Sequence, residues 1–226
     1  MQRFFDIIFS SIGLMLLAPI LIPTALTLRL TGEGEVFFVQ ERIGYEGELF
    51  GLFKFATMLK NSPNIGTGTI TVKGDSRILP FGGLLRKSKI NELPQLLNIL
   101  FGHMSIIGPR PLTRQTFDFY DHSTQLIIKK VKPGLSGIQQ IVIRDEENLV
   151  DMDLLPENFY TTILAPYKGK LEKWFVMNSN MYIYFMSIFM TIWIILTPKN
   201  DAVWRVFKGL PEPPNELKET LNYLSR

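Results

Sequence analysis

The sequence predicts a mixed α/β (α+β) domain attached to an amino-terminal membrane helix that bends back on itself. Three observations predict it. A mostly apolar run opens the chain from Phe4 to Leu30 and is interrupted by Ala18-Pro19 and Pro23. Two short apolar and aromatic runs, Val36 to Gln40 and Leu49 to Phe55, have the length and flanking turn formers of strands. From Phe81 onward apolar residues recur at helical spacing.

The opening run has room for a span of roughly 20 residues. Pro19 and Pro23 each remove a backbone donor and bend a helix where lipid offers no replacement partner. The segment 1–32 therefore reads as a re-entrant hairpin kinked at Ala18, Pro19 and Pro23. A straight span, a signal peptide and a buried core helix are the other readings. The signal peptide fits poorly, because its apolar stretch would be shorter and followed by a small-residue cleavage site. Asp6 and Arg29 lie at the two ends, where both reach the headgroup layer by snorkelling. Membrane lipid is thus an expected partner.

About 190 residues follow the anchor, enough for one domain with a sizeable core. With 46% hydrophobic residues the chain is greasier than an ordinary soluble enzyme. A net charge of +3 speaks against nucleic-acid binding by bulk electrostatics. The absence of cysteine excludes disulfides, thiolate zinc sites and a cysteine nucleophile, and fits a cytosolic domain. There is no internal repeat.

The two predicted strands are separated by Gly44 and Gly47 and form a hairpin-like unit. Residues 61–76 are dense in turn formers and read as a loop. Gly66 and Gly68 in it are not followed by the lysine-serine pair or helix start of a Walker loop. Helices are expected over Phe81 to Arg86 and Glu92 to Phe101, with Leu84, Leu85, Leu93, Leu96, Leu97 and Leu100 buried. Asn91 is placed to cap the second helix, and Glu92 in its first turn suits the helix dipole. On those grounds alone the pair needs no chemistry. Trp174 to Leu196 is strongly apolar, but its uninterrupted core, Met181 to Leu196, is short for a span. Trp174, Tyr182, Tyr184 and Trp193 suit an interface. Residues 201–226 form a polar tail in which Pro211 to Pro214 reads as a stiff linker. Glu216 to Leu224 reads as a short amphipathic helix, a contact for another subunit in a homo-oligomer.

The string from Leu85 to Pro111, LRKSKINELPQLLNILFGHMSIIGPRP, resembles the signature of the bacterial sugar transferases, the monotopic phosphoglycosyl transferases. Other pieces agree in order: Ala18-Pro19 in the apolar segment, Gln40-x-Arg42-x-Gly44, Lys54-Phe55-x-Thr57-Met58, Asp75-x-Arg77, and Lys132-Pro133-Gly134-x-x-Gly137. The resemblance extends from residue 1 to about 195. It implies a catalytic domain, here 33–200, with helices lying on the bilayer surface. It also implies transfer of a sugar phosphate from a UDP-sugar to undecaprenyl phosphate, with release of UMP and a need for magnesium. That reaction starts exopolysaccharide, O-antigen or glycan assembly on the cytosolic face of the inner membrane. In the family an aspartate-glutamate pair stands at Asn91 and Glu92. The aspartate attacks the sugar-bonded phosphate and the glutamate is associated with the metal.

Adjacent phosphates repel an anionic attacker, so such a site needs positive charge. Glu92 suits magnesium, which binds through one or two carboxylates plus substrate oxygens. Arg110 is held between two prolines and suits forked binding of phosphate. Arg86 lies just before the pair, Lys54 and Arg77 match family positions, and Arg144 falls in a degraded match to the family's asparagine-glycine-arginine region. Lys87 and Lys89 read as solvated charges or headgroup contacts. Several acidic positions are lost together. Asn91 replaces the nucleophile, His103 stands where the family has aspartate, and Tyr184 does so in the last apolar helix. Ile138-Gln139-Gln140 replaces a tryptophan-alanine-glutamine. His103 reads as structural. Three readings follow: Glu92 attacks or assists direct transfer; the chain belongs to an asparagine-glutamate branch with its own mechanism; or it is a silent relative that binds partners or nucleotide sugars.

Overall fold

The computed structural model describes residues 1–31, 33–64, 75–144, 159–197 and 201–223. Gly66 and Gly68, most of the loop read over 61–76, and Leu224 at the end of the predicted tail helix lie outside the described residues. The chain separates into two compact units. The first comprises Met1, Arg3–Glu41 and Phe50–Gly102; the second comprises Gln2, Arg42–Leu49 and the residues from His103 on.

Helix α1 (Gln2–Leu30) dominates the first unit and runs as one helix with Pro19 and Pro23 inside it. No break into a hairpin is seen. Prolines four residues apart share one helix face, so the lost donors fall on one side and the other side carries the helix on. Its amphipathicity is inverted. The buried residues are Asp6, Ser10, Thr24 and Leu28, whereas Ile7, Ile12, Met15, Leu16, Ile20, Ile22, Leu26 and Leu30 are exposed. Asp6 does not snorkel to the surface as expected: it is 2% exposed, held within the protein. In lipid the apolar face needs no cover, and a carboxyl group gains by turning inward.

Leu28 packs with Phe55 and Leu85, flanked by Leu21, Ala25, Val36, Phe81 and Ile90. Near the middle of α1, a Cβ on Gly13 would lie 3.4 Å from Leu96. Arg3 donates to the carbonyls of Ile99 and, at 2.7 Å, Leu100, satisfying end groups of α3 (Gln95–Phe101). Strands β1 (Phe37–Ile43) and β2 (Leu49–Phe55) pair in one sheet. Two paired strands joined by so few residues run antiparallel. β2 has the predicted bounds; β1 starts one residue later than expected and continues to Ile43. Phe37 stacks on Phe55 with ring centroids 5.7 Å apart.

Helix α2 (Pro80–Lys87) is close to the predicted segment. Gly82 sits so close to Thr57 that an added Cβ would be 2.1 Å from its carbonyl oxygen, so this contact admits no side chain. The expected buried set holds in part: Leu85 and Leu96 are buried, but Leu84 is 61% exposed. In α3 the inner face is instead Gln95, Leu96, Asn98 and Ile99.

The second unit is built on two short parallel strands, β3 (Ser105–Ile107) and β4 (Gly134–Ser136), with Ser105 opposite Gly134 and Ile107 opposite Ser136. Gly108, Gly134 and Gly137 let the flanking backbones approach; a Cβ on Gly137 would meet Gly108 O at 2.2 Å. Helices α4 (Arg114–Phe117) and α5 (His122–Ile128) are capped by Thr113 and Asp121. Bonds from Ser123 and Thr124 hold the Asp121 carboxyl well below the usual carboxylate range. α6 (Ile138–Val142) and α7 (Ala165–Asn178) follow, the latter preceded by a π-turn over Tyr160–Leu164.

The apolar stretch predicted over Trp174 to Leu196 is divided. α7 ends at Asn178, and Asn180 caps α8 (Met181–Leu196) by accepting from Ile183 N at 2.9 Å. α8 buries Ile183, Tyr184, Ser187, Met190 and Ile194 and exposes Phe185, Phe189, Ile192, Trp193, Ile195 and Leu196. The last elements are α9 (Ala202–Val206) and α10 (Asn215–Lys218). Val203, Phe207, Leu217 and Leu221 are buried there, and Tyr167 donates to Pro211 O at 3.1 Å, so this segment packs on the unit that bears it.

Candidate active site

The first unit brings Lys54, Asn91 and Glu92 into one small region. The C-terminal end of α2 turns through Ser88 into Lys89, which has φ 59° and ψ 10°. A left-handed conformation is costly for a residue with a Cβ and is usually filled by glycine after a helix. The turn feeds Ile90–Glu92, a 3₁₀ segment, with Glu92 N donating to Lys89 O and Leu93 N to Ile90 O, both at 3.1 Å. Asn91 therefore does not cap a helix as expected. A cap needs extended backbone with its side chain free to turn back, whereas Asn91 lies inside the 3₁₀ turn and α3 begins only after Pro94. Asn91 is 6% exposed, and its Oδ1 has no hydrogen-bond partner among the described residues.

Glu92 Oε1 lies 3.6 Å from Lys54 Nζ, with the two side chains 26% and 19% exposed. That distance is an ion pair too long for a tight hydrogen bond, which leaves both groups accessible to a third charged partner. Asn98 fixes the strand that bears Lys54. Its side chain donates to Gly51 O at 2.7 Å and accepts from Phe53 N at 2.9 Å. It thus takes the place of a neighbouring strand beside β2, while α3 carries it just beyond Glu92.

Arg86 has Met58 Sδ 3.9 Å from its Nη1 and is half-buried. Arg77 is 4% exposed. Its Nε donates to Asp75 Oδ1 at 2.8 Å, its Nη2 pairs with Asp75 Oδ2, and its Nη1 donates to Ser62 O at 2.8 Å. The fork of Arg77 is thus engaged as a loop brace. Arg110 and Arg144 belong to the second unit. Arg110 is half-buried, and its backbone N donates to Glu172 Oε1 at 2.8 Å. Arg144 is exposed and donates to Ile194 O in the last turn of α8 at 2.5 Å, where a cation suits the helix end. His103 is exposed.

Glu172 and Lys168, both on α7, escaped the sequence reading. They are 1% and 2% exposed. Lys168 lies 3.4 Å from the Tyr160 hydroxyl and over its ring. Burial pushes the Glu172 carboxyl up to about 7, against the Arg110 N–H bond and the charges of Lys168 and Arg110, which pull it down. In the sequence the two look like an ordinary solvated i, i+4 pair. The one available signal was Pro109-Arg110-Pro111, whose lone N–H demands an acceptor without naming it.

The model of the family described as bacterial sugar transferase matches residues 1–198. This chain belongs to that family. Over 199 residues, 87% of the chain, it is 32% identical to a UDP-N-acetylgalactosamine-undecaprenyl-phosphate N-acetylgalactosaminephosphotransferase of Aeromonas hydrophila, and covers 44% of that protein. It is 31% identical over 159 residues to the exopolysaccharide production protein ExoY of Rhizobium meliloti, covering 64% of this chain and 70% of that one. A UDP-glucose:undecaprenyl-phosphate glucose-1-phosphate transferase of Klebsiella pneumoniae is 36% identical over 68% of this chain and 35% of its own length. The chain thus spans less than half the length of the Aeromonas and Klebsiella relatives.

Proposed function

We propose that this chain transfers a sugar-1-phosphate from a UDP-sugar to undecaprenyl phosphate, releasing UMP, as the opening step of exopolysaccharide or related glycan assembly. The observation that carries the proposal is the partly exposed Lys54–Glu92 pair beside the buried amide oxygen of Asn91, which has no hydrogen-bond partner among the described residues, at the positions where the resemblance implies the family's acidic pair. Two of the relatives are named for this reaction with different sugars.

The donor set fits magnesium. Glu92 offers a partly exposed carboxylate and Asn91 a neutral amide oxygen. Both are hard oxygen donors of the kind that Mg²⁺ takes together with substrate phosphate and water. Among the described residues no three histidine, aspartate or glutamate side chains gather to hold a metal; Glu92 and Asn91 would hold the ion together with substrate oxygens and water. When bound, the ion neutralises phosphate charge. Lys54 supplies further positive charge next to Glu92, and Arg110 grips phosphate through its planar fork.

A neutral amide does not attack phosphorus, so Asn91 forms no covalent intermediate. The acceptor needs no activation because its phosphate oxygen is already anionic. That oxygen bonds to the sugar-bearing phosphorus, the P–O bond to UMP breaks, and the electron pair leaves with UMP. Positioning and electrostatics then supply the catalysis. The inverted α1 supports a membrane location for the greasy acceptor. In this reading α1 lies in the inner membrane, with Pro19 and Pro23 inside the helix, and the rest of the chain lies on the cytosolic face.

Rapid-quench measurement of UMP with and without undecaprenyl phosphate tests the direct step. UMP appears only with lipid present if transfer is direct. A lipid-independent burst of one UMP per enzyme would show that Glu92 forms a phosphosugar intermediate instead.

A further inference from the structure

Pro109 and Pro111 have no backbone N–H, so Arg110 N is the sole donor in the three-residue arch that presents the Arg110 side chain. The neighbouring acceptors are held by backbone or long side chains: Pro109 O by Gly134 N at 2.8 Å, Pro111 O by Arg42 Nη1 at 3.1 Å, and Leu112 O by Ile43 N at 2.9 Å. The sole donor goes to Glu172 Oε1 at 2.8 Å. That carboxylate stands in the middle of α7 and is 1% exposed, and its second oxygen, Oε2, has no hydrogen-bond partner among the described residues. Burying a carboxylate with one oxygen unpartnered is expensive. A bond from a backbone N–H to an ionised acceptor is shorter and about twice as strong as a neutral one.

We propose that Glu172 is a positioning residue, whose carboxylate anchors the Arg110 amide and so sets the direction in which the arch offers the Arg110 guanidinium to substrate phosphate. The inference rests on the reading of Arg110 as a phosphate-binding group. The charged groups facing Glu172 are Lys168 on its own helix and Arg110 on the arch. Of the elements that pack against α7, α5 carries His122 and the π-turn carries Tyr160, and α6 contains no titratable residue. The anchor therefore changes protonation near neutral pH, strongest when ionised and weaker when it holds a proton.

The contact is read first without any activity. Protein labelled with ¹⁵N-arginine is placed in nanodiscs, and the Arg110 amide is identified by its loss in Arg110→Lys. Between about pH 5 and 9 this resonance shifts with a midpoint near 7 in the parent protein. In Glu172→Gln, which retains an acceptor oxygen but cannot ionise, it stays fixed. The kinetic arm uses UMP release. Glu172→Ala raises KM for the UDP-sugar about tenfold, with a smaller change in kcat, and Glu172→Gln does so less. Adding Glu172→Ala to Arg110→Ala leaves KM within about twofold of Arg110→Ala alone, because both act through one guanidinium. An Arg110 amide indifferent to pH and to Glu172→Gln overturns the anchor. Multiplicative effects in the double variant overturn its link to Arg110. An enzyme with no turnover of any UDP-sugar refutes the proposed function instead, while the amide titration still decides the anchor.

Discussion

Glu92 and Glu172 are both glutamates on or beside helices, yet the chain uses them in opposite ways. Glu92 follows a left-handed turn at Lys89, faces a lysine 3.6 Å away and keeps a quarter of its side chain exposed. Glu172 sits inside α7, fully enclosed, with a backbone amide as its partner. An accessible carboxylate with a loose counter-ion can exchange that ion for a ligand; an enclosed one cannot and serves the architecture. The comparison teaches that a carboxylate's role is set less by its chemistry than by what shares its shell and whether water reaches it.

The contrast is sharpest in activity. Glu92→Gln removes the remaining charge of the acidic pair without changing shape, and UMP release falls by about a thousandfold while circular dichroism stays unchanged. Glu172 is separated by its effect on stability. Its carboxyl is near 7 in the fold against an ordinary 4.5. The folded state therefore binds that proton more tightly than the unfolded one. The associated stability is full below about pH 4.5 and is lost as pH rises through 7, a swing of about 3 kcal/mol, of which roughly 2 kcal/mol falls between pH 5.5 and 8.5. Denaturant titrations at pH 5.5 and 8.5 check it, and Glu172→Gln flattens the difference. Lys54→Met tests the counter-ion: a drop of roughly 30-fold in kcat/KM for the UDP-sugar is expected, from loss of one charge-assisted contact. The smallest effect belongs to the turn that delivers Glu92. Lys89→Gly relieves the left-handed strain and raises stability by about 1 kcal/mol, read from the urea midpoint.

Much of the local structure was legible in the sequence. Leu49–Phe55 has the predicted bounds, and the uninterrupted apolar core Met181–Leu196 stands as one helix because Asn178, Ser179 and Asn180 interrupt the apolar run before it. The departures come from longer-range causes. Leu93-Pro94 looked like the first turn of a helix, but the Lys89 turn sends the chain through 3₁₀ geometry first, so Asn91 lost its capping role. Spacing alone places Leu84 in the core, yet it is exposed on α2. The position of Asp6 at the end of an apolar run predicts a headgroup contact, while its burial depends on what packs against α1. For the candidate site, the Leu85–Pro111 string points to Asn91 and Glu92, and the separate piece Lys54-Phe55-x-Thr57-Met58 points to Lys54. Glu172 was not legible, since a glutamate flanked by Lys170 and Lys173 looks solvated until α5 and α6 are packed against it.

The central claim is that Glu92 supports sugar-phosphate transfer without the family's aspartate. The direct test is UMP release by the purified protein in nanodiscs, with magnesium, undecaprenyl phosphate and a panel of UDP-sugars, for the parent chain, Glu92→Gln and Asn91→Asp. Lipid-dependent release by the parent chain that disappears in Glu92→Gln is the predicted result. No release by the parent chain on any sugar, with release restored in Asn91→Asp, would contradict the account and mark the chain as a silenced transferase.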